Sequence, residues 1–265
     1  MDEKPHKGGL SLNKDYINKQ RIILESLCCF GLGGLVLYIG LYILFPLALK
    51  IGWSQAFAFP FFLWIGIFLL IPIVILLYKN EKSSLLLSER FRLNKIKSKD
   101  IKWIIIGILI VILSDFVIMD PVQKAMAKIP FFSPPAFFPE LFNPLKNIEL
   151  PLDSFLGVKL KGNWSFLFIM IPLHSLAMFS EEFIWRGYFL PKQERVFGKW
   201  AWLFNGLLWA YGVHFILKWA YIAFIPGMLI TPFLAQKTKN TWVSFFIHAV
   251  PNTILWIIIL VSIIN

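Results

Sequence analysis

Charged residues are scarce in this chain: Asp, Glu, Lys and Arg make up 15% of its 265 residues, whereas a soluble domain has about 25%. Hydrophobic residues account for 58% and aromatic residues for 17%. This balance excludes an ordinary water-soluble globule. The only two cysteines, Cys28 and Cys29, are adjacent, so a disulfide between them would be strained. We interpret both as packing residues.

Long apolar runs, by contrast, are abundant. A helix needs about 20 apolar residues to cross the hydrocarbon core of a bilayer, and seven stretches supply such a run. They lie at roughly 23–49, 54–78, 103–119, 164–185, 201–217, 219–235 and 242–264. The pattern predicts an all-α fold, a polytopic transmembrane helical bundle of about seven spans, with room for an eighth interfacial or re-entrant helix. Because the loops are short, we expect residues 1–265 to form a single integral membrane domain.

The net charge of +11 is distributed in a way that favours a lipid bilayer over nucleic acid as a partner. Segments that alternate from the N-terminus hold 18 Lys and Arg residues, and the intervening segments hold 7. Since basic residues collect in cytoplasmic segments, the chain is predicted to be a multi-pass protein of the cell membrane with its N-terminus cytoplasmic and its C-terminus outside. The basic segment 79–102 is either a topology signal alone or a surface that lies on anionic headgroups.

Prolines concentrate in residues 120–163, which hold seven of the sixteen in the chain. Because proline removes a backbone donor and interrupts helices, we predict an outer interfacial loop in this region. Its phenylalanines between 131 and 138 are expected to dip into the interface or to pack over the mouth of the bundle.

Few polar side chains fall inside the predicted spans. Each is a functional candidate, because ionisable groups are expensive to bury in hydrocarbon. The set comprises Asp115, His174, the segment 180–186, His214, and His248 with Asn252. Asp115 lies near a span end beside Asp120, and we interpret it as interfacial.

Helical spacing separates the two adjacent glutamates. Residues four apart share a helix face, whereas neighbours diverge by about 100°. Glu182 is therefore predicted to pair with Arg186 as a structural unit, which leaves Glu181 free for chemistry. The same spacing places His248 and Asn252 on one face, where they can present adjacent donors to one substrate oxygen. A glutamate, two histidines and an amide are the groups needed to activate water and stabilise an oxyanion.

Three motifs carry a family resemblance, and in chain order they are Glu181-Glu182-x-x-x-Arg186, His214 and His248-x-x-x-Asn252. Together they resemble the CAAX-protease and bacteriocin-processing membrane family, also called the abortive-infection family, which includes the type II CAAX prenyl endopeptidases. The resemblance covers about residues 164–260, which we treat as the catalytic core.

The resemblance implies an intramembrane glutamic endopeptidase. In this interpretation Glu181 activates the hydrolytic water together with His214. His248 and Asn252 lie on the oxyanion side, and the second glutamate and the arginine of the first motif are structural. No cofactor or metal is required. Imidazoles and a carboxylate are also good zinc ligands, but the chain has no His-Glu-x-x-His helix.

One position departs from the family's pattern. The second motif of the family has an aromatic residue four positions before its histidine, and this chain has Ala210 there, with Trp209 five positions before. Either a π-bulge within 207–215 absorbs the extra residue, or His214 is displaced. His174, two helical turns before the first motif, is the reserve candidate for the role of His214.

Three classes of function follow. The favoured one is an endopeptidase that cleaves a peptide or protein substrate at the membrane, with trimming of a prenylated tail and processing of a bacteriocin precursor as two options. The alternative is a non-catalytic member that binds a membrane partner or gives immunity to a peptide toxin. A transporter or channel is third, and paired inverted repeats would support it.

Overall fold

The computed structural model describes residues 8–81 and 84–265, and it confirms the all-α fold. Regular structure in these residues is almost entirely helical. The helices are α1 (Gly8–Tyr38), α2 (Phe45–Lys50), α3 (Gln55–Asn80), α4 (Leu87–Arg90), α5 (Ser98–Ser114), α6 (Asp120–Ala127), α7 (Trp164–Glu182), α8 (Leu190–Phe197), α9 (Ala201–Leu207), α10 (Ile225–Thr238) and α11 (Thr241–Ile264). The strands β1 (Ser154–Phe155) and β2 (Val158–Lys159) pair antiparallel as a short hairpin.

Four segments of the described chain are π-helical. They are Ile39–Leu44, Asp115–Met119, Phe183–Phe189 and Leu208–Val213. A π-turn accommodates one extra residue within a helix and is frequent at functional sites. The last three segments contain or adjoin candidate site residues, so the local irregularity of the helices coincides with the region where chemistry is expected.

Five helical stretches of the described chain are long and apolar enough to cross a membrane. They are Asn18–Lys50, Gln55–Asn80, Ser98–Ala127, Trp164–Val213 and Thr241–Ile264. The structure therefore supports a multi-pass protein, and the predicted number of about seven spans is an approximation.

The helices that correspond to the predicted spans at 201–217 and 219–235 are shorter than those spans. The helical stretch that includes α9 ends at Val213, and α10 begins only at Ile225. Pro226 occupies the first turn of α10, a position where the missing N–H needs no partner. The residues between these helices form turns and one short 3-10 helix (Lys218–Ala220), so hydrophobicity alone overestimated the helix lengths.

The predicted loop at 120–163 begins as a helix. α6 follows α5 through the second π-segment, because Pro121 lies in its first turn and is tolerated there. Farther along, Phe138 is buried, whereas Phe131 is 68% exposed. Phe138 packs at 5.5–5.9 Å between ring centroids against Tyr42, Phe59 and Trp219. The loop thus packs on the bundle through some of its phenylalanines and leaves others at the surface.

Arginines of the basic segment 79–102 make ion pairs within the protein. Arg90 is buried and donates hydrogen bonds of 2.8 and 2.9 Å to Glu81, while Arg92 binds Glu194 through two nitrogens. Burial alone would raise the pKa of Glu81, but the hydrogen bonds and charge of Arg90, together with Tyr188 and Lys192, hold that pKa below its usual value.

Two predictions about the basic regions fall partly beyond the described chain. Residues 1–7, which begin the N-terminal segment, lie outside the described residues, and so does Lys82 in the segment 79–102. The cytoplasmic location of the N-terminus, the outer location of the C-terminus and the contact with anionic headgroups stay predictions.

Helix α1 approaches the segment before His214 very closely at Gly34. A Cβ atom added at Gly34 would lie 2.0 Å from the carbonyl oxygen of Gly212, which is shorter than any tolerable contact. Gly31, three residues earlier on the same helix, has open space around it. The contact at Gly34 therefore fixes α1 against the π-segment Leu208–Val213.

Gly34→Ala should lower the stability of the folded protein by about 1–3 kcal/mol, the usual effect of overpacking, because a backbone carbonyl cannot move aside as a flexible side chain can. Gly31→Ala is the matched control. It should leave stability unchanged or raise it slightly, since alanine is favoured over glycine in helices. Thermal unfolding in detergent measures both variants, and equal stability would contradict the close approach.

Candidate active site

Most of the polar residues predicted at membrane depth line one cavity of about 540 Å³, whereas Ser180, Glu182 and Arg186 are buried outside its lining. This volume lies within the range of about 300–1,000 Å³ that is usual for ligand sites. The walls are mostly apolar, and the polar groups are Asp115, His174, Glu181, Thr231, His214, His248 and Asn252. Within residues 8–81 and 84–265, no three His, Cys, Asp or Glu side chains are grouped so that they could hold a metal ion.

Glu181 lies in the last turn of α7 and is fixed at one of its two oxygens. The indole Nε1 of Trp209 donates a hydrogen bond of 2.8 Å to its Oε2. Its Oε1 accepts no hydrogen bond from the described residues and is accessible from the cavity. Glu181 is therefore oriented by the protein while one carboxylate oxygen stays available to a water or substrate.

Glu182 and Arg186 form the ion pair that their spacing indicated. Arg186 Nη1 lies 3.3 Å from Glu182 Oε1, and both side chains are fully buried. The guanidinium carbon lies 3.7 Å from the centre of the Trp209 ring, a cation–π contact that strengthens when it is shielded from water. The pair is thus held by charge and by the indole face.

Glu182 has a second contact that sequence spacing could not indicate. Its Oε1 lies 3.0 Å from Nδ1 of His248, although the two residues are 66 positions apart. Because a carboxylate accepts hydrogen bonds, this Nδ1 carries a proton, and Nε2 is left for the cavity. A buried carboxylate that orients a histidine is the usual arrangement around a catalytic imidazole. Glu182 therefore positions His248 as well as neutralising Arg186.

Asn252 follows His248 by one turn of α11. Its Nδ2 donates a hydrogen bond of 2.8 Å to the backbone oxygen of His248. An amide nitrogen has two hydrogens, and the side chain is exposed on the cavity wall. The second N–H is therefore available to a ligand oxygen beside His248, as the shared helix face indicated.

The predicted π-bulge before His214 is confirmed. Leu208–Val213 is π-helical, and the backbone N–H of His214 donates to the carbonyl oxygen of Trp209, five residues earlier, at 3.2 Å. The ring Nδ1 of His214 lies 3.2 Å from the same oxygen. A carbonyl oxygen only accepts, so Nδ1 is protonated and, in the neutral ring, Nε2 has a free lone pair. The bulge absorbs the extra residue between the aromatic position and the histidine.

Trp209 is a central contact residue of the cavity that the sequence did not indicate. It contacts four charged or titratable groups, namely Glu181, Arg186, His214 and His248. No direct hydrogen bond joins His214 to Glu181 within the part of the chain that is described, and both contact Trp209 instead. The departure of the second motif, with its aromatic residue five positions before His214, was the one signal in the sequence that pointed to this tryptophan.

Asp115, which the sequence predicts to be interfacial, lines the cavity in the structure, and its depth in the membrane stays a prediction. Asp115 begins the π-segment Asp115–Met119, and its half-buried side chain lines the cavity. A π-turn changes the helix face that successive residues occupy, so the direction of the Asp115 side chain depends on this segment. The described residues provide no ion-pair partner for Asp115.

His174 also lines the cavity, but it has partners different from those of His214. Its Nδ1 accepts a hydrogen bond of 2.9 Å from Trp256 Nε1, and its ring stacks on Trp64. The position near Trp209 is occupied by His214. The reserve role for His174 therefore has no support in the contacts.

The family model described as type II CAAX prenyl endopeptidase Rce1-like matches residues 163–254, about a third of the chain. No curated protein and no solved structure matches the chain significantly. The matched segment runs from the residue before α7 into α11 and includes all three motifs. The family indicates a protease, and the long apolar helices indicate a multi-pass membrane protein. Residues 163–254 are thus similar to the type II CAAX prenyl endopeptidases, and this match supports the predicted resemblance to the CAAX protease family.

Proposed function

We propose that this protein is an intramembrane glutamic endopeptidase that hydrolyses a peptide bond with a water activated by Glu181. The proposal rests on the contacts of the two oxygens of the Glu181 carboxylate. One oxygen is fixed by Trp209, the other is open to the cavity, and His248 and Asn252 line the same cavity. The family match supports a protease acting on a peptide or protein substrate at the membrane.

Glu181 acts as the general base in the first step. Its Oε1 accepts a proton from the water as the water oxygen bonds to the carbonyl carbon of the substrate. His214 presents an unprotonated Nε2 in its neutral form and accepts the second hydrogen bond of that water. A positioned general base typically raises a reaction rate by about 10²–10⁴-fold.

The former carbonyl oxygen carries negative charge after the attack, and donors on α11 stabilise it. Asn252 Nδ2 supplies one N–H. His248 Nε2 supplies another when the ring carries two protons, while its Nδ1–H is donated to the buried Glu182 carboxylate. Removing one such donor from an oxyanion site typically lowers the rate about 10²–10³-fold. As the C–N bond breaks, Glu181 returns its proton to the leaving nitrogen, and two peptides are released.

The substrate is expected to be apolar next to the scissile bond, because the cavity walls are mostly apolar. A membrane-associated peptide of the CAAX type, with or without a prenyl group, meets this requirement, and so does an apolar bacteriocin or pheromone precursor. A panel of quenched fluorescent peptides of both kinds, tested with the full chain in detergent or vesicles, identifies the substrate class.

Glu181→Gln should abolish cleavage while the protein still purifies folded, because the amide cannot take a proton from water. Glu149→Gln, on an exposed residue of the loop, is the matched control and should cleave as the unmodified protein does. Arg186→Ala should instead reduce the yield of folded protein, since an unpaired buried charge costs about 3–5 kcal/mol. Cleavage at the unmodified rate after Glu181→Gln would reject the proposed function.

His214→Ala should lower kcat by about 10²–10⁴-fold, the usual contribution of a positioned proton-transfer group. His214→Gln should recover part of the loss, because its side-chain oxygen can accept the hydrogen bond of the water. Single-turnover cleavage of the same peptide measures both variants. An unchanged kcat in His214→Ala would remove His214 from the mechanism and leave Glu181 as the base alone.

A further inference from the structure

Three histidines line the cavity within the described chain, and their partners fix different tautomers. Nδ1 of His214 faces a carbonyl oxygen and Nδ1 of His248 faces a carboxylate, so both of these nitrogens carry a proton. His174 shows the reverse arrangement. Its Nδ1 faces Trp256 Nε1, and an indole nitrogen can only donate. In the neutral ring of His174 the proton is therefore on Nε2.

The ring of His174 is held in place by two tryptophans. It stacks on Trp64 with 5.5 Å between centroids and an interplanar angle of 16°, and it meets the edge of Trp256 at 5.4 Å. Its Nε2 has no hydrogen-bond partner among the described residues and is accessible from the cavity. His174 thus presents a fixed N–H donor to the mostly apolar cavity. A donor without an acceptor is unfavourable in such surroundings.

The spacing of His174 and Glu181 along α7 determines which part of a bound peptide can reach the Nε2–H of His174. The two residues are seven positions apart and lie on one helix face, which separates them by about 10 Å at 1.5 Å per residue. An extended peptide advances by at most about 3.3–3.6 Å per residue. A peptide that lies along α7 with its scissile bond at Glu181 therefore reaches His174 in three residues.

We propose that His174 is a specificity-determining residue that donates its Nε2–H to a substrate oxygen about three residues from the scissile bond. The inference rests on the proposed function, because Glu181 marks the scissile bond. It assigns to His174 a part in binding that differs from the proton transfer assigned to His214. The ligand chemistry is a peptide oxygen, either a backbone carbonyl or a terminal carboxylate.

The test is a length series of one reporter peptide, extended from one to four residues on each side of the scissile bond with blocked ends. We expect kcat/KM of the unmodified protein to rise about tenfold when the third residue is added on one side, the effect of one hydrogen bond. This gain should come from a lower KM. In His174→Phe, which keeps the ring between the tryptophans, the gain should be absent. A final peptide with a free carboxylate in place of the amide distinguishes the two sources of oxygen.

Two further variants separate the donor from the packing. His174→Gln places an amide N–H near the position of Nε2 and should retain part of the gain. Trp256→Phe removes the hydrogen bond that selects the tautomer and should reduce the gain without abolishing it. Each variant is compared with its own rate on the shortest peptide, so a general loss of activity does not mimic the effect.

The outcomes distinguish this inference from the proposed function. An equal length gain in the unmodified protein and His174→Phe overturns the role of His174 and leaves the endopeptidase assignment in place. If no peptide is cleaved, fluorescence anisotropy of the labelled series measures binding instead. A length gain in binding that His174→Phe abolishes supports His174 and rejects the cleavage mechanism. No length dependence in either measurement overturns the inference.

Discussion

The position of the Trp209 indole is the constraint on which the site depends. This side chain is 3% exposed, its face covers the guanidinium of Arg186, and its N–H fixes Glu181. A buried guanidinium requires a counter-charge, and Glu182 supplies it. Because the same Glu182 oxygen also binds His248, the neutralisation of one buried charge orients the groups on α7 and α11 together.

A π-helical segment determines the position of the Trp209 indole. A regular α-helix would turn the residue five positions before His214 away from the face that His214 occupies, since residues four apart share a face. The π-segment Leu208–Val213 changes that relation, so Trp209 and His214 contact each other and line the same cavity. The close approach of α1 at Gly34 supports the segment from behind. The close packing at Gly34 of α1 therefore helps to fix the positions of Trp209 and His214 in the site.

The sequence could predict what depends on local spacing. The separation of Glu181 from Glu182 and the pairing with Arg186 follow from residues four apart sharing a helix face. The bulge followed from a one-residue shift against the family's second motif. Hydrophobicity predicted a helical membrane bundle but overestimated the lengths of two spans, because apolar residues in turns resemble those in helices.

What the sequence could not predict depends on tertiary packing. The contact of Glu182 with His248 joins residues 66 apart, and that of Trp209 with Glu181 joins residues 28 apart. The direction of Asp115 depends on a π-turn, and the tautomer of His174 depends on which side chain reaches its Nδ1. None of these leaves a periodic signal in the chain.

The most direct test of water activation by Glu181 is a high-resolution structure with a peptide difluoroketone, whose hydrated form mimics the tetrahedral intermediate. We expect one hydroxyl of the hydrate at about 2.6–3.2 Å from Glu181 Oε1, a usual distance for proton transfer. The other hydroxyl should lie within hydrogen-bond distance of Asn252 Nδ2 and His248 Nε2. A hydrate carbon bound away from Glu181, or a metal ion between Glu181 and the histidines, would contradict a metal-independent glutamic mechanism.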